Sequence, residues 1–204
     1  MTSHHYTSGM KLLSAVIQLQ DDIKCNYEKG NIHERTLANI AGLQIDLCAS
    51  YLLLLGEDGE GPIVGRSVIL RSILENQGTI LHIKGDKGRA ERYLGHVNKM
   101  QQRIKDNIEG RETPEKDRLW SESVIAQRVG LIDKRAVNLY DTLSDFLHGN
   151  NVQYLYDTKE LTDAYIMAID ACFIGILRDF IAELAKGLSM EESKRKMAFK
   201  RWGT

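Results

Sequence analysis

Arg71 and Glu75, four apart in "GRSVILRSILENQGTILHI", and Ser144 and His148, four apart in "YDTLSDFLHGN", are the residues whose types and spacing best suit chemistry. On a helix, positions four apart share a face. Gly149 and Asn150 form a C-terminal stop signal, so His148 falls at a helix end. There the macrodipole favours the protonated imidazole by up to about 1 to 2 kcal/mol. Such a group can give a proton to a leaving alkoxide or hold a phosphate, with Arg71 neutralising developing charge and Glu75 orienting Arg71. Ser144 and Asn150 would add hydrogen bonds. Each pair also has a structural reading. Arg71 and Glu75 suit a surface ion pair worth roughly 0.3 kcal/mol, and His148 suits capping its own helix through a carbonyl or Tyr140.

The stripe on which Arg71 lies continues through Ser67, Gly78 and His82, opposite an apolar set of Ile69, Leu70, Ile73, Leu74, Ile80 and Leu81. Small residues flanking a charged pair predict close approach by another element. A second stripe, Arg89, Arg92, His96, Lys99 and Arg103, steps by three and four along "RAERYLGHVNKMQQR" and suits either tracking a phosphate backbone or a solvated face. Its other side, Ala90, Tyr93, Leu94, Val97, Met100 and Ile104, is expected to pack inward. Glu75, His82 and His148 could in principle share a divalent ion, but no H-E-x-x-H or repeated E-x-x-H spacing supports it, and neither metal nor cofactor is expected. Asp46 and Asp170 interrupt apolar helices and would need partners if buried, with Arg66 or Arg71 available. Cys48 and Cys172 read as small core residues.

These positions need helices to hold them, and helices are what the chain encodes. Apolar residues recur at three and four almost throughout, only two prolines occur, and no strand-like alternation is present. Helices are expected over 9–27, 34–55, 62–83, 89–109, 133–148 and 161–186, with weaker turns in "LWSESVIAQRVG" and a short terminal helix. The expected fold is all-α, a single-domain multi-helix bundle over 1–204, with a flexible N-terminus (1–8) and a basic C-terminal tail (189–204). In that tail "KRKMAFKRW" interleaves aromatics with cations, a pattern suited to bases, a membrane surface or a partner subunit.

Composition narrows the function classes. With 204 residues and 43% hydrophobic content, one core burying roughly 70% of the unfolded surface is feasible. A formal net charge of -1 argues against coating nucleic acid by bulk electrostatics. Three cysteines without C-x-x-C spacing indicate neither a disulfide framework nor a thiolate zinc site and fit a reducing cytoplasm. The apolar runs "SYLLLLG", too short, and "AYIMAIDACFIGILRDFIAELA", charged at Asp170, Arg178 and Asp179, predict no membrane span.

The R-x-x-x-E of "RSILEN", the "RAERYL" of the following helix and "YDTLSDFLHG" together resemble the recurring elements of a bacterial helical family of unknown function. That family is itself similar to the HEPN-type bundles of toxins and phage-defence proteins. The resemblance spans about 66–150 and implies an HEPN-like bundle acting on RNA without a metal, as a homodimer or with a partner protein. HEPN ribonucleases carry R-x(4-6)-H, and here the chain departs from the pattern. No arginine lies within six residues before His148, where Ser144 stands instead, so Arg71 would have to supply the cation. Arg89 and His96 meet the spacing only formally. The rival expectation is a non-catalytic interaction or sensor module whose polar cluster binds a partner or a small anion.

Overall fold

The computed structural model describes residues 3–111, 119, 125–147 and 159–190. Among these the structure is all-α, with eight helices and no strand. They are α1 (His4–Ile17), α2 (Gln20–Lys29), α3 (Ile32–Leu55), α4 (Ile63–Ile83), α5 (Lys87–Ile108), α6 (Ile125–Val129), α7 (Lys134–Leu147) and α8 (Lys159–Gly187). The hairpin of α3 and α4 is the centre of the bundle. α3 packs on α1, α2, α5 and α8, and α4 packs on α5, α6, α7 and α8.

Local chemistry explains most boundaries. Asn31 caps α3 by accepting from the His33 and Glu34 amides, while the Glu34 carboxylate accepts from Asn31 N, a complete capping box. Pro62 is the N-cap residue of α4, just outside the first turn in which it was expected. Gly61, immediately before it, has to be glycine, because a Cβ there would fall on the Leu54 carbonyl.

Two expectations about the N-terminal region change. The helix expected over 9–27 is two helices, since the Leu19 amide bonds the Val16 carbonyl three residues back and the chain turns there. No glycine or proline marks the break. It serves packing instead: Leu19 is buried, α1 lies on α3 and α8, and α2 lies on α3. Helix α1 also begins at His4, so residues 4–8, expected to be flexible, belong to it, and the Ser3 amide bonds the Glu57 carbonyl in the α3–α4 loop. At the other end Asn26 holds Ser189 through two hydrogen bonds of 2.9 Å, docking the exit of α8 onto α2. The rest of the basic tail, 191–204, lies outside the described residues.

Helix α3 is long and apolar enough to cross a membrane by length and composition, a feature the shorter run "SYLLLLG" does not convey. In this fold it is the central helix, with five others packed on it.

The core is tied by one buried polar knot. Arg66 Nη1 of α4 donates to both oxygens of Asp170 on α8, at 2.8 and 3.0 Å, and Tyr51 of α3 donates to Asp170 Oδ1 at 2.6 Å. Arg66 Nη2 also donates to the Gly61 carbonyl at 3.1 Å. The Tyr51 ring stacks on Phe173 with centroids 4.1 Å apart. Asp170 therefore finds the partner its burial demands, whereas Asp46 is exposed and needs none. Cys48 is buried and its thiol is pushed up to about 12 by desolvation, as befits a core residue.

Removing one partner of the knot leaves the other charge stranded at a site with no exposure. Asp170→Ala should therefore cost about 3 to 5 kcal/mol in urea unfolding, while the double variant Arg66→Met/Asp170→Leu should recover most of that loss. Equal losses in both would show that packing, not charge, carries the knot. A second expectation concerns alkaline pH. Burial pushes the Tyr93 and Tyr165 phenols up to about 12, and burial and then Asp170 raise Tyr51 further. The unfolded phenols lose their protons near pH 10. The folded state then holds more protons, so stability is full below about pH 10 and falls as pH climbs through about 12. Urea midpoints measured from pH 8 to 11 should decline; a flat profile would contradict the assignment.

Candidate functional site

Five stripe residues of α4 meet four different elements, which is why this helix is polar along one side. The Ser67 hydroxyl donates to the Ile63 carbonyl and lies 2.9 Å from the Tyr165 hydroxyl of α8. Arg71 and Glu75 meet α7. Gly78 meets α6 so closely that a Cβ would stand 2.7 Å from the Arg128 carbonyl carbon and oxygen. The His82 carbonyl accepts from Arg89 Nη1 of α5 at 2.9 Å. The close approach expected of the small residues thus occurs at Gly78, with backbone as the visitor.

The centre of the site is a triangle of Arg71, Glu75 and Tyr140. Arg71 Nη2 donates to the Tyr140 hydroxyl at 2.8 Å, and that hydroxyl donates to Glu75 Oε1 at 2.9 Å. The direct Arg71–Glu75 separation is 3.3 Å, and the guanidinium carbon lies 5.0 Å from the Tyr140 ring centroid. Tyr140 is buried, while the Arg71 and Glu75 side chains keep 26% and 31% of their surface. The cluster is therefore open to solvent on its α4 side and closed on its α7 side. Burial and, after it, the Glu75 acceptor and charge raise the Tyr140 phenol, with Arg71 pulling the other way, so the hydroxyl keeps its proton and remains the donor to Glu75.

Arg71 uses only part of its donor set. Its Nη2 is engaged, and among the described residues its buried Nε has no hydrogen-bond partner. A side chain held by Tyr140 and still about a quarter exposed can receive an anion with little further loss of side-chain freedom.

Helix α4 packs beside α7, and the α7 residue that reaches Arg71 is Tyr140. Ser144, one turn further along α7, is half-buried and donates to the Tyr140 carbonyl at 2.8 Å, so its hydroxyl serves its own helix. His148 and Asn150 lie outside the described residues, just beyond Leu147, the last described residue of α7. Tyr140 was legible in one respect: it stands four residues before Ser144, on the same helical face.

The second stripe is uneven. Arg89 is held between the His82 carbonyl and Asp86 at 3.3 Å, and so serves the α4–α5 junction. His96 and Arg103 are half-buried, and Arg92 and Lys99 are exposed, so the stripe is not one continuous open face. Its apolar side also departs from expectation. Only Ala90 is buried, where its carbonyl meets Thr36 of α3, while Met100 and Ile104 remain 42% and 54% exposed. Helix α5 packs by its first turns and projects by its last. Among the described residues no three His, Cys, Asp or Glu side chains gather as a metal-binding group.

No protein-family model, curated protein or solved structure matches the chain.

The α4–α6 contact is testable by itself. Gly78→Ala should destabilise the protein by about 1 to 3 kcal/mol, because the neighbour that must move is backbone. An unchanged urea midpoint would mean that α6 does not sit against Gly78.

Proposed function

We propose that this protein is an HEPN-like, metal-independent ribonuclease of a bacterial defence or toxin system, with Arg71 as its phosphate-binding cation. The observation that supports this reading is the partly exposed Arg71 side chain, anchored by Glu75 on its own helix and by Tyr140 on α7, the helix whose last described residue precedes His148 in the sequence. In the proposed reaction the RNA 2′-hydroxyl attacks the adjacent phosphorus as its proton passes to a base. The bond from phosphorus to the 5′-oxygen breaks, and that oxygen takes a proton from the acid. The products are a cyclic phosphate and a 5′-hydroxyl. His148 is the proposed acid or base, Arg71 offsets the charge on the non-bridging oxygens, and Glu75 and Tyr140 position Arg71. Asn150 and Ser144 are second in importance, since the Ser144 hydroxyl must first leave the Tyr140 carbonyl. Arg92 and Lys99 on α5 are the proposed contacts to the rest of the RNA, with the half-buried His96 and Arg103 beside them. Free cysteines at 25, 48 and 172 accord with a reducing cytoplasm. A homodimer or a partner protein is part of the same proposal.

A second reading is favoured by one specific feature. Arg71 already has two partners, and α7 carries Ser144 where an HEPN nuclease would carry arginine. This arrangement suits a non-catalytic module that binds a small anion or a partner protein.

Incubation of a mixed RNA pool with the purified protein in EDTA distinguishes the two. Wild type should cleave and leave cyclic phosphate ends. His148→Ala should lose roughly 100-fold or more of the rate, and Arg71→Ala a comparable factor. Tyr140→Phe should fall between, because the guanidinium keeps Glu75 but loses its second anchor. Absence of cleavage, or cleavage indifferent to Arg71 and His148 in folded variants, would overturn the nuclease and leave the binding module.

A further inference from the structure

A cavity of about 180 Å³ opens where α4 and α8 end beside the start of α3. It shares no lining residue with the Arg71 cluster. Its floor is apolar, built from the buried side chains of Leu37, Ile80 and Ile83. Gly187 closes one side, and a Cβ at that position would overlap Leu37 Cδ2.

The mouth has a different character. Lys84 Nζ lies 2.7 Å from Glu183 Oε2, and Lys186 Nζ lies 3.8 Å from Glu183 Oε1. Glu183 is 14% exposed, whereas the two lysines are 54% and 56% exposed. One largely buried carboxylate thus holds two ammonium groups at the rim and has an oxygen turned to each. An ammonium has three donors, so each lysine can serve Glu183 and still offer hydrogen bonds to a guest. Lysines at the ends of two helices also complement the helix dipoles. That role needs no void beneath them, and the apolar hollow is what it leaves unexplained.

Size and chemistry select the guest. An apolar cavity of about 150 Å³ accepts a molecule the size of benzene, so this one suits an apolar body of about six carbons. The head group must satisfy ammonium donors, and a carboxylate does so with charge as well as hydrogen bonds.

We propose that this cavity binds a small amphiphile whose apolar body rests on Leu37, Ile80 and Ile83 and whose carboxylate takes the donors of Lys84 and Lys186 that Glu183 leaves unused at the rim. The test uses hexanoate, hexanol and hexylammonium, titrated into the full chain and followed by amide shifts in NMR. Hexanoate should bind saturably and move the Ile80, Ile83 and Gly187 amides, with hexanol at least tenfold weaker and hexylammonium weaker still. Lys84→Gln/Lys186→Gln should reduce hexanoate affinity about tenfold and leave hexanol unchanged, which separates the head group from the floor. Ile83→Trp, which fills the hollow, should abolish binding of both; should that variant fail to fold, the lysine variant still decides. Equal affinities for hexanoate and hexanol, tighter binding of hexylammonium, or no saturable shifts at these amides would each overturn the proposal.

Discussion

The buried pair of Arg66 and Asp170 is the constraint on which the rest of the arrangement depends. Two charges taken out of water cost several kcal/mol each, and only well-formed geometry and extra hydrogen bonds offset that cost. Here the offset comes from three separate elements: Tyr51 on α3, Asp170 on α8 and the Gly61 carbonyl before α4. A helix held by apolar contacts alone can slide or rotate by a fraction of a turn for little energy. One whose guanidinium must meet a fixed carboxylate cannot. The knot therefore sets the rotation of α4, and five residues on, about 140° round the helix at 3.6 residues per turn, Arg71 faces α7.

How far the sequence reveals this arrangement depends on the kind of signal each feature leaves. Helices α3, α4, α5, α7 and α8 were legible because periodicity, capping residues and Gly or Pro punctuation agree, as at Asn31 with Glu34 and at Pro62. The turn between α1 and α2 left no such mark, since it is made by a tightened last turn and by burial of Leu19, both consequences of tertiary packing. Arg71 with Glu75 was legible as a pair, and Gly78 as a place of close approach. That Tyr140 joins Arg71 and Glu75 was not, because a phenol on an amphipathic helix reads equally as core, and only the azimuth of α7 decides. Asp46 and Asp170 show the same limit: both interrupt apolar stretches, but one is exposed and the other lies at the centre of the core.

Helix α5 shows what periodicity does and does not determine. Its apolar positions form a stripe, and a stripe implies that something suits that face; it does not fix how far along the helix the partner extends. The first turns meet α3 and α4, burying Ala90 and engaging Arg89, while Ile108 at the far end is 80% exposed. The same projection keeps Lys99 at the surface beside Met100, whereas Arg92, two residues past the buried Ala90, is exposed on the outer side of the packed turns.

Arg66 and Arg71 are the same residue type, five positions apart on one helix, and their surroundings give them different chemistry. Arg66 has no exposed surface and spends both terminal nitrogens on Asp170 and Gly61. Any anion reaching it would have to displace a buried carboxylate and open the core. Arg71 spends Nη2 on groups that are themselves at the surface or next to it, and a quarter of its side chain meets water. For an anion the difference is between breaking the fold and replacing solvent. Tyr140 sharpens that difference, because a buried, protonated phenol can hold Arg71 in place without adding a charge that would compete with the incoming one. The phenol fixes the cation's position without adding charge of its own, so the charge that an incoming anion must compete with is that of Glu75 alone, 3.3 Å from Arg71.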